Sequence, residues 1–259
     1  MDLGFSGKTV IVTGGSRGVG GGISEIFARE GANVVMDDLS HPEESAAFAK
    51  SLSEKYGTNV YFVTGDISNP DDVKRVFDFA EEKTGSLDIL VNCAGLTGPS
   101  TNGLIYEMPV ETFKRNLDVN VVGTFMMSAE FSRRLIAAGR GGRIVNILSK
   151  ASVSTTTPGH VCLAVSKSGL MGLTKQLAVE LTSKGIIVNG IMPGSAMNSR
   201  FKGTPEELED PKTKARLERL PMGRFAKPTE IGQMVAFLAS DQCQLAVGSI
   251  VDATGGLLL

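Results

Sequence analysis

The stretch Thr13-Gly14-Gly15-Ser16-Arg17-Gly18-Val19-Gly20 constrains this chain more than any other. Thr9 to Val12, just before it, is β-branched throughout and reads as a buried strand. Ile23-Ser-Glu-Ile-Phe-Ala28, just after it, spaces its apolar residues as a helix does. Between a strand and a helix, glycines allow a tight turn and close approach of backbone to a diphosphate, which then lies at the helix N-terminus. The expectation is a dinucleotide site built on Gly14, Ser16, Arg17, Gly18, Val19 and Gly20.

The rest of the chain repeats the alternation. Strands are expected at Val34–Met36, Asn59–Val63, Leu87–Val91, Gly142–Leu148, Ile186–Met192 and about Ser249–Asp252. Helices are expected from Pro42 to about Tyr56, from Pro70 onward, and across about Val110–Ala138 with a break in pattern near Asn120. Two more are expected over about Val161–Lys184 and Pro228–Ser240. Strands alternating with helices predict a parallel sheet covered on both faces, and the nearly continuous apolar strands agree. With 259 residues, 42% of them hydrophobic, and no linker or repeat, the expectation is one α/β domain of the Rossmann-type, doubly wound kind.

Composition excludes several function classes. A net charge of −2 gives no reason to expect nucleic acid or an anionic membrane as partner. No apolar run reaches the ~18 residues a spanning helix needs, and Met1–Gly7 lacks the basic start and apolar block of a signal peptide. Cys93, Cys162 and Cys243 lack metal-ligand spacing and only two histidines are present, so no metal site is expected. The expectation is a cytoplasmic protein with reduced thiols.

Asp38 lies 18 residues past Gly20, near the ~20 expected of the acid that accepts a hydrogen bond from the adenosine ribose. A carboxylate there repels a 2′-phosphate, and Asp37 beside it adds to the repulsion. Arg17 acts in the opposite sense. The two carboxylates outweigh it, so NAD is expected over NADP.

At this point the chain resembles the short-chain dehydrogenase/reductase family over nearly its whole length. The resemblance rests on Thr13-Gly14-x-x-x-Gly18-x-Gly20, Asn92-Cys-Ala94-Gly95, Asn120 in Leu117–Gly123, Arg143–Ser149, Ser166-Lys167, Val188–Gly194 and Pro221–Phe225. It implies a sheet of about seven strands and a homo-oligomer, usually a tetramer and sometimes a dimer, built through the two long helices. It also implies that Asp38 and Leu39 hold the ribose, Asp66 and Ile67 the adenine, and Asn92, Ala94 and Gly95 the length of the coenzyme. Pro193, Gly194, Ala196 and Asn198 would lie at the nicotinamide, with Asn198 standing where threonine is usual. The segment about 195–222 would be a lid over a small-molecule substrate. Within it Pro205–Asp210 is acidic, and Lys212, Lys214, Arg216 and Arg219 are basic. Arg200 and Lys202 offer further cations.

The family's catalytic set is Asn, Ser, Tyr and Lys, with tyrosine four residues before lysine. Asn120, Ser149 and Lys167 are in place, with Lys167 also expected on the nicotinamide ribose, but Leu163 stands at the tyrosine position. Leucine has no proton to exchange, and Tyr56, Tyr61 and Tyr106 all lie far upstream. Ser149 precedes Leu163 by 14 residues where 13 is usual, so the loop carries an insertion. His160 lies seven residues before Lys167, the interval at which enoyl-thioester reductases of this family place their tyrosine. Histidine also changes charge near neutral pH. Cys162 adjoins Leu163 and would point about 100° away from it.

Three readings follow. The first is a nicotinamide oxidoreductase acting on a small alcohol, ketone or activated alkene, with His160 or a water ordered by Ser149 and Lys167 moving the proton. The second is a coenzyme-binding subunit with little turnover. The third is a pocket recruited to non-redox chemistry such as a cyclisation. The retained Asn120, Ser149 and Lys167 favour the first.

Overall fold

The computed structural model describes residues 2–155, 157–198 and 201–259. Seven strands run parallel in the order β3-β2-β1-β4-β5-β6-β7. They are β1 Thr9–Thr13, β2 Asn33–Asp38, β3 Val60–Thr64, β4 Ile89–Asn92, β5 Gly142–Ile147, β6 Ile186–Pro193 and β7 Ile250–Ala253. The expected Rossmann-type, doubly wound sheet is therefore present. Its strand ends differ from the sequence reading by a residue or two, because backbone pairing and not hydrophobicity decides where a strand stops.

Successive side chains of a strand point to opposite faces, and the cores sort accordingly. Val10, Val12, Val34 and Met36 pack on one face with α1 Gly18–Arg29, α2 Pro42–Tyr56 and α9 Pro228–Ala239. Ile11, Val35 and Ile144 pack on the other, under α3 Pro70–Thr84, α5 Thr124–Ala137 and α6 Val161–Leu181. Helix α3 starts as its sequence directs: the Asn69 side chain accepts from Asp71 N at 2.9 Å, and Pro70 opens the first turn.

The pattern break expected near Asn120 is a π turn. Helix α4 Val110–Leu117 runs into it over Asp118–Gly123 and α5 continues from it. One extra residue in a turn re-aims the side chains it carries, and π turns recur at functional sites for that reason. The charged segment after β6 forms two short helices, α7 Pro205–Glu209 and α8 Pro211–Leu217; Thr204 and Glu207 make a capping box at the first. Among the described residues no helix is long and apolar enough to cross a membrane.

Helices α1 and α9 cross with almost no side-chain spacer. A Cβ on Gly22 would stand 2.4 Å from the Pro228 backbone, and one on Gly232 would stand 2.7 Å from the Gly22 carbonyl oxygen. Backbone on both sides leaves nothing to swing aside. Gly22→Ala is expected to lower unfolding free energy by about 1–3 kcal/mol, the usual cost of overpacking, in a denaturant titration. Unchanged stability would mean that α9 shifts freely.

Candidate active site

The strand register sets Asp37, Thr13, Asn92 and Asn146 side by side in one row at the carboxyl edge of the sheet. Between β1 and β4 the strand order reverses, and the Thr13 hydroxyl closes that seam by accepting from Cys93 N and Ala94 N, both at 3.0 Å. Asn92 Nδ2 donates to Asn146 Oδ1 at 2.9 Å and to Ser128 Oγ at 3.0 Å. The row is therefore tied internally, and the loops leaving it frame an open crevice of 1560 Å³. That exceeds the ~300–1,000 Å³ of a site for one drug-sized ligand.

The glycine turn forms one end of the crevice. A Cβ on Gly20 would lie 1.9 Å from the Gly14 carbonyl oxygen, so only glycine lets the turn close onto the helix. A Cβ on Gly14, itself at φ +62°, would come within 2.9 Å of Ala94 Cα. Asp38 takes the Ser16 hydroxyl on one carboxylate oxygen, and the Ser40 N–H and O–H, both at 3.1 Å, on the other. The Arg17 guanidinium reaches the Ser40 hydroxyl, while its Nε is buried without a partner. Ser40 carried no signal in the sequence; its place follows from the turn that ends β2.

Asp37 does not act as its neighbour does. It points to the opposite face of β2, is 1% exposed, and leaves Oδ1 without a partner. Burial above all, and next the Asp38 carboxylate, hold its carboxyl well above the usual range. Asp37 is thus turned away from the ribose edge, where it was expected to add to the repulsion of a 2′-phosphate. At Asp66 burial pushes the carboxyl up, but hydrogen bonds from Ser68 and Arg115 outweigh it and leave it below its ordinary value. Arg115 Nη2 stands 2.8 Å from Asp66 Oδ2.

The other end gathers Ser149, His160, Leu163 and Lys167 on the crevice wall. The last three lie zero, three and seven residues along one helical face starting at the N-cap of α6. Lys167 Nζ donates to the Ile147 carbonyl at 2.7 Å, and burial pulls its ammonium down to about 8. Ser149 Oγ accepts from Ala151 N at 3.2 Å, which leaves its own O–H to donate into the crevice. His160 is pinned at the helix start, where Gly103 N bonds the Gly159 carbonyl at 2.9 Å and Gly103 pairs with His160. Cys162 faces away, with Sγ 3.8 Å from Met108 Sδ, and burial raises its thiol.

Of the residues singled out from the sequence, Gly14, Arg17, Val19, Gly20, Asp38, Leu39, Asp66, Ile67, Ala94 and Gly95 line this one crevice. So do Pro193, Gly194, Ala196 and Asn198. Ser16, Gly18, Asn92 and Asn120 stand behind the lining. Asn120 is fully buried: Oδ1 accepts from Leu96 N at 2.7 Å, and Nδ2 donates to Ser166 Oγ at 3.0 Å. Its place is a strut beneath Gly95, not a surface group. Arg200 lies outside the described residues, and Lys202 is exposed.

Residues 14–258 match the family model described as enoyl-(acyl carrier protein) reductase. The 3-oxoacyl-[acyl-carrier-protein] reductase FabG of Aquifex aeolicus is 33% identical over 257 residues, covering 99% of this chain and 100% of its own. The chain belongs to the short-chain dehydrogenase/reductase family. A crystal structure of a dehydrogenase/reductase from Sinorhizobium meliloti 1021 superposes with a TM-score of 0.90 at 30% identity, covering 100% of this chain and 98% of that one. A short-chain dehydrogenase from Burkholderia cenocepacia J2315 in complex with NADP reaches 0.88 at 28% identity, covering 98% and 99%. Membership in the short-chain dehydrogenase/reductase family places the chain among NAD(P)-dependent oxidoreductases.

The residues present fit such a coenzyme on this structure's own terms. The glycine turn is closed to any side chain, the Arg17 Nε–H is a buried donor without an acceptor, and a carboxylate stands at the end of β2.

The buried Asp37 makes stability depend on pH. A carboxyl whose folded-state pKa is raised contributes most at low pH, and that contribution fades as pH rises through the raised value. Asp37→Asn is therefore expected to unfold at higher denaturant than the parent once pH is well above the ordinary carboxylate range, and to flatten the parent's decline with rising pH. A parent curve as flat as the variant's would show Asp37 ionised without cost.

Proposed function

We propose that the chain transfers hydride between NAD(H) and a small alcohol, ketone or activated alkene, with His160 moving the accompanying proton. The observation that carries this reading is that the ribose-end carboxylate Asp38 and the group Ser149, His160 and Lys167 line one continuous crevice.

The coenzyme, when bound, supplies or accepts the hydride. The chain's own groups supply the rest. The backbone N–H groups at the start of α1 hold the diphosphate. Asp38 accepts from the 2′-hydroxyl of the adenosine ribose, and Asp66 and Ile67 border the adenine. Lys167, with one N–H spent on Ile147, has two left for the second ribose. The Ser149 hydroxyl donates to the substrate oxygen and orients it. His160 gives that oxygen a proton on reduction and takes one on oxidation, the work tyrosine does elsewhere in the family. Leu163 beside it offers only an apolar wall.

The alternative proton carrier, a water held by Ser149 and Lys167, makes a different demand on the same residues. Replacing His160 by alanine is expected to lower kcat by about 10²-fold or more on ketone and enone panels if the imidazole moves the proton. An unchanged kcat would pass the role to water. Leu163→Tyr restores a phenol one helical turn from Lys167 and is expected to raise carbonyl reduction. Failure to do so would mean that the inserted residue after Ser149 has moved the substrate away from position 163.

NAD is favoured over NADP because Asp38 is fixed by Ser16 and Ser40 at the ribose edge. The Arg17 side chain, one serine away, is the group that could meet a 2′-phosphate. Fluorescence titration is expected to show NADH binding more tightly than NADPH, with Asp38→Ala shifting the ratio toward NADPH by roughly 10–100-fold, the worth of a charged hydrogen bond. A parent protein that prefers NADPH would give the decision to Arg17.

A further inference from the structure

Charge along the crevice is divided. The carboxylates that face it from the glycine-turn end, Asp38 and Asp66, belong to the ends of β2 and β3, and Arg17 and Arg115 are engaged beside them. Beyond Ser149 the lining holds Lys150, Arg216 and Arg219 and no acid. None of these three has a carboxylate within ion-pair distance among the described residues, whereas Lys214, on the same helix as Arg216, is paired with Glu209. Lys150 is half-buried in the turn that follows β5.

Arg216 and Arg219, both exposed, contribute to the lining at this end. The guanidinium of Arg216 lies 5.0 Å from the centroid of the Phe225 ring. The next residue, Ala226, is stitched to the strand exit after β6: Ala226 N donates to Ser195 O at 3.0 Å and Met197 N to Ala226 O at 2.9 Å. The stack therefore ties the Arg216 guanidinium, itself exposed, to a segment bonded to the strand exit after β6. The same lining holds the aliphatic Leu148, Leu163, Leu220 and Leu257, together with the hydroxyl residues Ser154, Thr155 and Thr157.

On the oxidoreductase reading above, we infer that the substrate is an aliphatic molecule bearing an anionic group, a carboxylate or a phosphate, and that Lys150, Arg216 and Arg219 select it. The apolar wall takes the carbon chain, and the three cations take the anion at the far side of Ser149 from the glycine turn. A guanidinium pair binds a planar or tetrahedral oxyanion in two-point fashion, which an ammonium cannot do alone.

The test uses hexanoate, hexyl phosphate and the neutral isostere hexanamide, titrated calorimetrically into the protein with and without NADH. At least one anion is expected to bind about tenfold or more tightly than hexanamide, the worth of one charge-assisted hydrogen bond. The preference should weaken as salt rises. Which anion wins identifies carboxylate or phosphate as the natural group. Lys150→Gln and the double variant Arg216→Gln/Arg219→Gln should each reduce the preference while leaving hexanamide binding and NADH affinity as in the parent. Equal binding of all three ligands, no measurable binding of either anion at millimolar concentration, or a preference that survives the substitutions would overturn the inference. So would a fall in NADH affinity matching the loss, since the cations would then serve the coenzyme. Turnover of 3-oxohexanoate is measured separately. Anion preference without turnover leaves this inference standing and ends the oxidoreductase reading, and turnover without preference does the reverse.

Discussion

Two backbone N–H groups converge on one hydroxyl where the sheet changes direction. Cys93 N and Ala94 N both donate to Thr13 Oγ1, so the chain leaving β4 is held against the end of β1 while the glycine turn departs the other way. An open parallel sheet offers a crevice only where neighbouring strands send their connections to opposite faces. Thr13 fixes the width of that opening. Gly14 packs against Ala94 across it, and Gly20 against Gly14 behind it, so the two walls are set by backbone contact and have little freedom to drift. The groups farther along the edge inherit their positions from this seam through the tied row Asn92, Asn146 and Thr174.

The parts of this arrangement that could be read from the sequence are those fixed by short-range geometry. The glycine spacing, the apolar strands and the Pro-led helix starts each depend on residues within one turn of one another. His160 and Lys167 could be placed on one face because seven residues make two helical turns. The two aspartates of β2 show where such reading stops. Alternation says that Asp37 and Asp38 point to opposite faces, but which one meets the crevice depends on pairing with β1 and β3, and only the folded sheet reveals that Asp37 is buried. Asn120 is a second case: its break in periodicity was visible, but the π turn that puts its amide under Gly95 was not. Ser40 and Lys150 gave no pattern at all, since each owes its place to a turn between elements and not to periodicity.

The loop after Ser149 and the leucine at position 163 border the same end of the crevice. Loop residues Ser154, Thr155 and Thr157 and the histidine at the start of α6 all reach the crevice wall. Leu163 gives that wall an aliphatic surface, and the loop before α6 brings hydroxyl groups to it. The wall thus combines an aliphatic surface with hydrogen-bonding capacity near the Ser149 hydroxyl.

Lys167 bears on the same point from the energetic side. An ammonium in this position has a single acceptor, the Ile147 carbonyl, and burial has already drawn its pKa down to about 8. A buried cation with one hydrogen bond costs stability unless a ligand with oxygen acceptors completes its shell. The retained lysine is thus better explained by a molecule that fills the crevice than by packing, and an empty crevice would leave the chain with an unrewarded charge at its centre.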